Sequence, residues 1–588
     1  MGIRPKRAAL DYRKKNRRKA VKTVLQLAIL CIVGYVLFHA LADVKRYAEP
    51  DRAAWRSDNG FVALSYFGVS RSGTPKLMAK RQLDEQLRTL KEQGYVTISQ
   101  QDVLDYYKEG KKLPDKALFL AFEDGRNDSS LFAQPLLEKY NFKATFLSYA
   151  DKMGDGQRKF VQPGEMKKMA KTGYWELGSN GYRLSYINVF DSEGRFLGMK
   201  NEDELRNKMN VDYYNHYLMD FIRDGDMIPT ENRQEMEARI GADYAKMKQV
   251  YTDKLGYVPG VYMIMHANAM HQGMNRLVSD ANDANIRQMF AMHFNREGNA
   301  LNKKGDDLYD LTRVQPQAYW YTNHLLMKLR EDTGREMSFV VGDKRRAEDW
   351  TVVRGAAQFI DDRIALTSEP SDEGLMVLKN SAGEQDIALT ATLGGNVVGK
   401  QSLYVRYDRR QETYVRVTLA NNRLIVEQKK AGQAAETLLS RELDEVKWKE
   451  TDLTLNKATV YAREQTKTRD LTEEREYPIN ISDKRNIRVE VRGDRLRVSV
   501  DGAVLLDGAA IDGSIAAGEV ALASAPHTQS KRDDIYDAVF DGVKVEAIGA
   551  EGNSEEVRYS NRFSGVRKWI VETGRTFDAV VDWMIETF

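Results

Sequence analysis

Residues 117–125 read Ala-Leu-Phe-Leu-Ala-Phe-Glu-Asp-Gly, and this stretch decides the fold. Six apolar residues lead directly into two adjacent carboxylates, Glu123 and Asp124, and a glycine. A helical stretch (131–140) and a second apolar strand (144–148) follow. Barrels of alternating strands and helices present catalytic groups in this way, at the carboxyl ends of their strands. The pattern therefore predicts a (β/α) barrel with both carboxylates on its functional face.

The motif resembles the first motif of the polysaccharide deacetylase (NodB homology) family, Thr-Phe-Asp-Asp-Gly. In that family the first acid is the general base and the second is a metal ligand. The resemblance implies that Glu123 is the base and Asp124 the ligand, in a distorted barrel over residues 60–335. Glutamate at the first position moves the carboxylate outward by one methylene, which matters for positioning a water molecule.

The second family motif, His-Ser/Thr-x-x-His, supplies two imidazole ligands for a divalent cation such as zinc. The equivalent stretch, residues 175–184, has Asn180 and Leu184 at the two ligand positions. An amide oxygen is a weak zinc ligand and leucine is none. We therefore expect the ordinary metal site to be lost or rebuilt, with no cofactor or a weakly held zinc-type cation at Asp124. Asn180 and Tyr182 are predicted to bind substrate.

Three further polar residues stand near the ends of later strand-like runs: His266, His293 and Arg313. The run containing Arg313 resembles the family's closing Arg-Ile-Pro strand, and Arg313 is predicted to bind substrate. The two histidines are predicted to join Glu123 and Asp124 as catalytic residues, binding a metal in a new arrangement or acting as acid and base on a glycan. The alternative is that both histidines are half-buried structural residues beside methionine-rich strands.

The N-terminus predicts a membrane anchor. Residues 24–42 contain no Asp, Glu, Lys or Arg, and this length is close to the roughly 20 residues that a bilayer crossing needs. Residues 1–22 carry ten Lys or Arg against one Asp. The positive-inside bias then predicts a cytoplasmic tail (1–22), an anchor (23–42) and an extracytoplasmic remainder at the cell membrane. Ala-Leu-Ala at 40–42 leaves a cleaved leader as the alternative.

From about residue 345 to 548 the chain alternates apolar and polar residues between glycine and asparagine turns, which predicts an all-β domain. Its last strands resemble concanavalin-like (laminin-G-like) jelly rolls, so the whole chain is predicted to be α/β plus all-β. That resemblance implies a sugar-binding or spacing module. Aromatic residues that could stack on sugar rings, or else be core or ordinary surface residues, are Tyr404, Tyr407, Tyr414 and Trp448.

Two further segments complete the organisation. Residues 186–235 form an aromatic-rich insertion that we expect to lie over the cleft. Residues 560–588 place apolar side chains on one helical stripe, which predicts an amphipathic helix packed on protein. A net charge of +3 implies no nucleic-acid-binding surface, and the single cysteine, Cys31, rules out an internal disulfide framework.

Two functions remain open. In the first, a membrane-anchored deacetylase-like protein acts on or binds a cell-surface glycan or exopolysaccharide; if active, it hydrolyses the amide bond of N-acetyl sugars. In the second, a pseudoenzyme serves as a glycan-binding or scaffold subunit of a polysaccharide synthesis or export complex. The expected partners are a polysaccharide, the membrane and, as an open alternative, a membrane glycosyltransferase or synthase.

Overall fold

The structure, a computed structural model, describes residues 45–444 and 484–563. Within these ranges it omits residues 75, 155, 157, 192, 202–203, 205–210, 265–269, 271–273, 396–398, 421, 528–533 and 550–553, and outside them it describes only scattered positions between 19 and 31 and Thr573. The predicted tail and anchor (1–42) and the predicted C-terminal helix (560–588) therefore lie almost entirely outside the described residues. Among the helices that are described, none combines the length and hydropathy of a membrane span.

The first half of the chain alternates strands and helices. Its strands are β1 (Phe61–Tyr66), β2 (Val69–Ser70), β3 (Met78–Ala79), β4 (Val96–Thr97), β5 (Ala117–Phe122), β6 (Ala144–Tyr149), β7 (Trp175–Gly181), β8 (Ser185–Asp191), β9 (Phe196–Asn201), β10 (Val211–His216), β11 (Val261–Met263), β12 (Met292–Glu297), β13 (Leu301–Asn302) and β14 (Leu311–Arg313). Its helices are α1 (Lys80–Glu92), α2 (Gln100–Lys108), α3 (Asn127–Tyr140), α4 (Pro163–Lys171), α5 (Arg233–Leu255), α6 (Arg276–Met289) and α7 (Thr322–Thr333), with 3-10 turns at Arg52–Ala54 and Ala150–Lys152.

Parallel pairing runs in the order β1-β5-β6-β7-β11-β12-β14. Val314, just after β14, bridges Leu64 of β1 in parallel, which brings the last strand beside the first. The sheet is thus a nearly closed barrel, as predicted. β4 pairs with β5, and β13 pairs with β1 in antiparallel orientation.

The barrel strands are buried on both faces because the wall separates two hydrophobic clusters. On β5, Phe119 and Ala121 belong to the inner cluster, together with Met263 and Phe294 of later strands. Their neighbours, such as Leu120, belong to the outer cluster that packs against the helices. Since side chains alternate along a strand, residue parity decides which residues enter the barrel.

The predicted insertion forms a three-stranded antiparallel sheet in the order β10-β8-β9. It leaves the barrel after β7 and returns through α5. That helix starts at a capping box made by Asn232 and Glu235 and ends at Gly256, whose φ of +94° suits a left-handed cap.

The second half of the chain is rich in strands, after a short helix α8 (Lys344–Ala347). Its strands are β15 (Trp350–Arg354), β16 (Ala356–Ile360), β17 (Arg363–Thr367), β18 (Gly374–Leu378), β19 (Ile387–Gly395), β20 (Gly399–Asp408), β21 (Thr413–Ala420), β22 (Arg423–Lys429), β23 (Glu436–Glu442), β24 (Arg485–Arg492), β25 (Arg495–Val500), β26 (Ala503–Ala510), β27 (Glu519–Pro526), β28 (Asp537–Ile548) and β29 (Ser554–Ser560).

These strands form two antiparallel sheets that enclose one hydrophobic cluster, so this half is a sandwich. One sheet has the order β15-β18-β27-β20-β21-β22-β23. The other has the order β16-β17-β28-β19-β24-β25-β26, with β29 on β28. The β25–β26 hairpin turns at the predicted Asp501-Gly502 pair, where both residues have positive φ.

The barrel and the sandwich meet through a buried interface. His324 of α7 contacts Asp537 of β28 at 3.0 Å (Nδ1 to Oδ2), and both side chains are at most 5% exposed. Thr367 donates to the other Asp537 oxygen at 2.6 Å. Glu85 of α1 accepts hydrogen bonds from Gln358 of the sandwich and from α7. The apolar part of the interface is formed by Met327, Phe339, Ala356 and Ile535.

Candidate functional site

Glu123 and Arg313 form an ion pair inside the barrel, at the carboxyl ends of their strands. Glu123 continues the inward-facing series of β5 and is fully buried, and Arg313 is 3% exposed. The Arg313 Nε donates to Glu123 Oε1 at 3.0 Å and lies 3.2 Å from the Ser65 hydroxyl oxygen. Because β14 closes the barrel beside β1, residues 190 positions apart meet at this end.

The second oxygen of Glu123, Oε2, is buried and has no hydrogen-bond partner among the described residues. A buried charge is tolerated when it is paired, and the guanidinium supplies that pairing. The predicted base is therefore held by a salt bridge through one oxygen, while the other oxygen is the part of the side chain left for a further contact.

Asp124 has a left-handed backbone, with φ of +67°, and is 7% exposed. Its N–H donates to Asn180 Oδ1 at 2.9 Å, and Asn180 Nδ2 donates to the Met263 carbonyl at 2.9 Å. Asn180 thus connects the ends of β5, β7 and β11 through a single amide. Such a bridge requires one acceptor and one donor on the same side chain, which an asparagine provides.

Gly125 follows with φ of +65°, and a Cβ there would stand 3.1 Å from Ser148 Cβ. The next residue, Arg126, lies with Nη1 3.9 Å from Asp124 Oδ2 and contacts Asp128 at 2.8 Å. The tight turn therefore brings a cation close to the predicted metal-binding carboxylate.

Leu184, at the other ligand position, is 8% exposed and packs with Tyr149 and Phe67. Among the residues that the structure describes, no three His, Cys, Asp or Glu side chains come together as metal ligands. The amide oxygen of Asn180 already accepts the Asp124 N–H. These donors do not fit the three-ligand zinc site that the family resemblance implies.

The structure places His293 in the outer layer of the barrel wall, so the predicted meeting of His293 with the carboxylate pair is wrong. Its neighbours Met292 and Phe294 face the inner cluster, and its own ring stacks on Tyr262 at 5.2 Å. Its Nδ1 lies 3.0 Å from the Tyr309 carbonyl oxygen. Burial lowers the pKa of His293 to about 3, so the ring is neutral at pH 7. His266, the other predicted catalytic histidine, lies outside the described residues.

A second cluster lies just beyond β7. The Arg183 guanidinium stands over the ring of Tyr182 at 5.5 Å and over that of Tyr217 at 4.9 Å. Its Nε is 3.5 Å from an oxygen of Asp243, whose pKa burial raises to about 6. Tyr217 follows β10, so the insertion does reach the loop that carries the predicted substrate-binding residue Tyr182.

Sequence reasoning missed Ser65, Arg183 and Asp243. Ser65 had a usable signal, since it is a polar residue near the carboxyl end of an apolar strand, as Glu123 is. The pairing of Arg183 with Asp243 had none, because the two residues lie on separate elements that only the fold brings together.

Comparison with known proteins gives one family match. The sequence profile described as polysaccharide deacetylase matches residues 110–259. The poly-beta-1,6-N-acetyl-D-glucosamine N-deacetylase of Escherichia coli (strain K12) is 26% identical over 228 residues, which are 36% of this chain and 31% of the relative. The protein of the same name from Staphylococcus aureus (strain MRSA252) is 25% identical over 191 residues, 29% of this chain and 64% of the relative. The chain thus spans less than two thirds of both relatives.

Among solved structures, a de-N-acetylase from Aggregatibacter actinomycetemcomitans is 19% identical. The alignment covers 44% of this chain and 95% of that protein, with a TM-score of 0.35.

Proposed function

Since residues 110–259 match the family model described as polysaccharide deacetylase, we propose that this chain is a deacetylase-like protein that binds an exopolysaccharide in its barrel without zinc-dependent hydrolysis. One observation carries the proposal. Asn180, at the first imidazole position of the family motif, ties the Asp124 N–H to the Met263 carbonyl. A side chain used in this way holds strand ends together, and its amide oxygen is a weak zinc ligand compared with the imidazole that the family motif has there.

The surroundings support the same conclusion. Leu184 contributes no donor and packs against Tyr149. Glu123 is engaged by Arg313 through one oxygen. A hydrolytic zinc site needs three protein donors and an open position for water, and the described residues provide neither imidazole of the motif.

The binding face is supported by the cluster beyond β7. Tyr182 is half-buried, and the Arg183 guanidinium stands over its ring and over that of Tyr217. Aromatic rings next to charged hydrogen-bonding groups suit a sugar, which has apolar faces and a rim of hydroxyls. Because two relatives are named for poly-β-1,6-N-acetylglucosamine, this polymer is the first ligand to test.

The location completes the proposal. The uncharged segment 24–42 behind a basic tail supports a single-pass membrane protein with its bulk outside the cytoplasm. A membrane polysaccharide synthase is then the expected neighbour, and the sandwich, which we take to be a jelly roll, would act as a second module on the same polymer.

The test measures acetate release and binding separately. Wild type and Asn180→Asp are incubated with β-1,6-linked N-acetylglucosamine oligomers and Zn²⁺, and acetate is quantified while calorimetry gives the affinity. We expect both proteins to bind the oligomers without releasing acetate. Tyr182→Ala should weaken binding, whereas Tyr257→Ala is a matched control, since Tyr257 is 48% exposed and precedes β11 at the opposite end of the barrel. Acetate release by wild type that is lost in a chelator would overturn the proposal.

A second candidate function is hydrolysis without the family's zinc site, and the unpartnered Glu123 Oε2 favours it. That oxygen would take a proton from water while the water oxygen attacks the acetyl carbonyl carbon. Cleavage of the C–N bond would then return the proton to the leaving amine. Acetate release that resists chelators and disappears in Glu123→Gln would select this candidate; no release from either protein leaves the binding function.

A further inference from the structure

The seven-stranded sheet of the sandwich has a second nonpolar face, directed away from the shared core. On β20, Leu403 and Val405 belong to the core between the sheets. Tyr404, between them, belongs to a separate cluster. All members of that cluster lie on strands of the seven-stranded sheet: Leu375, Val377, Tyr404, Tyr407, Tyr414, Ala521 and Ala523. This face therefore carries a second cluster in which five members are at most 4% exposed and two, Tyr407 and Tyr414, are half-buried.

Three tyrosines dominate this surface, and we call them the tyrosine platform: Tyr404, Tyr407 and Tyr414. The ring of Tyr404 lies 5.1 Å from that of Tyr407 and 5.2 Å from that of Tyr414. Tyr404 is 4% exposed and forms the base, while the other two rings are half-buried. A bulge in β20 after Val405 puts Tyr407 on the same face as Tyr404.

The strand beside the platform is lined with the smallest side chains. Tyr404 pairs with Ala521 of β27, and Ala523 follows on the same face. On the neighbouring strand β18, Leu375 pairs with Ala523 and Val377 pairs with Ala521, and both belong to the same cluster. Because Leu375, Val377, Ala521 and Ala523 are at most 3% exposed, the half-buried rings of Tyr407 and Tyr414 are the members of this cluster that a ligand can contact.

The charges around the tyrosine platform are paired with one another. Arg416 contacts Glu427 at 2.7 Å, Arg354 contacts Glu373 at 2.9 Å, and Arg409 contacts Glu519 at 2.8 Å. Arg416 also stands over the ring of Tyr414 at 5.1 Å and donates to the Tyr404 hydroxyl at 3.1 Å. Each guanidinium already has a carboxylate, so an anionic polymer would gain no new ion pair here.

We propose that the tyrosine platform binds a neutral polysaccharide segment, as a site separate from the barrel. Flat rings of Tyr407 and Tyr414 offer stacking surfaces for the apolar faces of sugar units. The Arg416 and Glu427 pair supplies fixed donors and acceptors for hydroxyl or acetamido groups, and its internal charge balance selects uncharged ligands. The site depends on no chemistry in the barrel.

The experiment uses the full chain and measures binding of two probes by calorimetry: a β-1,6-linked N-acetylglucosamine hexamer and a polyuronate of similar length. Tyr407→Ala/Tyr414→Ala is compared with Tyr407→Phe/Tyr414→Phe, which keeps both rings. Loss of two stacked rings should weaken binding of the neutral hexamer to this site about tenfold, while the phenylalanine variant retains it. Adding Tyr182→Ala to each of these variants removes the contribution of the barrel to glycan binding. The affinities of the two sites can then be measured separately.

Four outcomes would overturn the proposal. These are unchanged affinity in the double alanine variant, equal loss in the phenylalanine variant, preference for the polyuronate, or a change of oligomeric state in place of a change in glycan affinity. Thermal unfolding of both variants checks that the sandwich is intact. If Tyr182→Ala leaves binding unchanged while the double alanine variant abolishes it, the platform stands and the barrel function fails.

Discussion

The buried pair of Glu123 and Arg313 makes a quantitative prediction. In Arg313→Met the stem that packs inside the barrel remains, but the guanidinium that neutralises a fully buried carboxylate is gone. The other oxygen of Glu123 has no hydrogen-bond partner among the described residues, so no other group there is in place to compensate the buried charge. Removing one partner of a buried pair typically costs about 3–5 kcal/mol, since the other charge stays desolvated.

We expect that loss for Arg313→Met, measured by urea unfolding followed through tryptophan fluorescence. For a domain of this size it corresponds to a fall in Tm of about 6–20 °C. The double variant Glu123→Leu/Arg313→Met should recover most of the loss, because apolar replacement of both partners is often neutral. Arg296→Met is the matched control, since it removes the same group from a half-exposed pair with Asp310 and should cost less than about 1 kcal/mol.

Equal small losses in Arg313→Met and Arg296→Met would refute the description of the first pair as desolvated. A double variant that is no more stable than Arg313→Met would show that the two side chains do not act as a unit. In either case the description of Glu123 and Arg313 as a buried, mutually dependent pair would be wrong.

Three other changes have defined outcomes. His293 has a pKa of about 3 when folded against about 6.5 unfolded, so its stabilising contribution is complete above pH 6.5 and is lost as the pH falls toward 3, by at most about 5 kcal/mol. His293→Phe should flatten urea stability between pH 7 and pH 4, and an unchanged acid dependence would contradict this. Asp537→Ala removes the partner of His324 at the interface and should lower the free energy of unfolding by about 2–5 kcal/mol. It should also speed proteolysis between the barrel and the sandwich, and an unchanged rate of proteolysis would contradict this. Gly518→Ala places a Cβ 2.4 Å from the Arg406 backbone and should lower the free energy of unfolding by about 1–3 kcal/mol, measured by thermal unfolding. Gly513→Ala is the control, since its Cβ would meet nothing within 4 Å, and should change stability by less than about 0.5 kcal/mol. Equal losses in the two variants would refute the packing argument.

The fold was readable because strand and helix patterns alternate strongly from residue 60 onward. The position of Glu123 and Asp124 at the end of β5 followed from the abrupt change from apolar to acidic residues. That Arg313 reaches Glu123 was not predicted, although Glu123 was predicted to be the base and Arg313 to bind the substrate. The partnership itself needs the closure of β14 on β1.

His293 shows why the direction of side chains on the barrel strands could not be predicted from the sequence. Strands buried on both faces carry no alternation in hydropathy, so sequence does not reveal which parity faces inward. The positions of Met292 and Phe294 show that His293 faces outward, but only once it is known that these two residues belong to the inner cluster. The predicted stacking residues Tyr404, Tyr407 and Tyr414 do lie on one face, but Tyr404 is buried, and Trp448 is outside the described residues.

The contact between α7 and β28 has a practical consequence for dissecting this protein. Cutting the chain between the two halves would strand Asp537 and His324 without partners and uncover the apolar side chains of Met327 and Ile535. Fragments ending near residue 340 should therefore aggregate or need detergent, however well their own cores are formed. Expression of either half alone is a poor assay of what that half contributes, and point substitutions in the intact chain are the sounder tool.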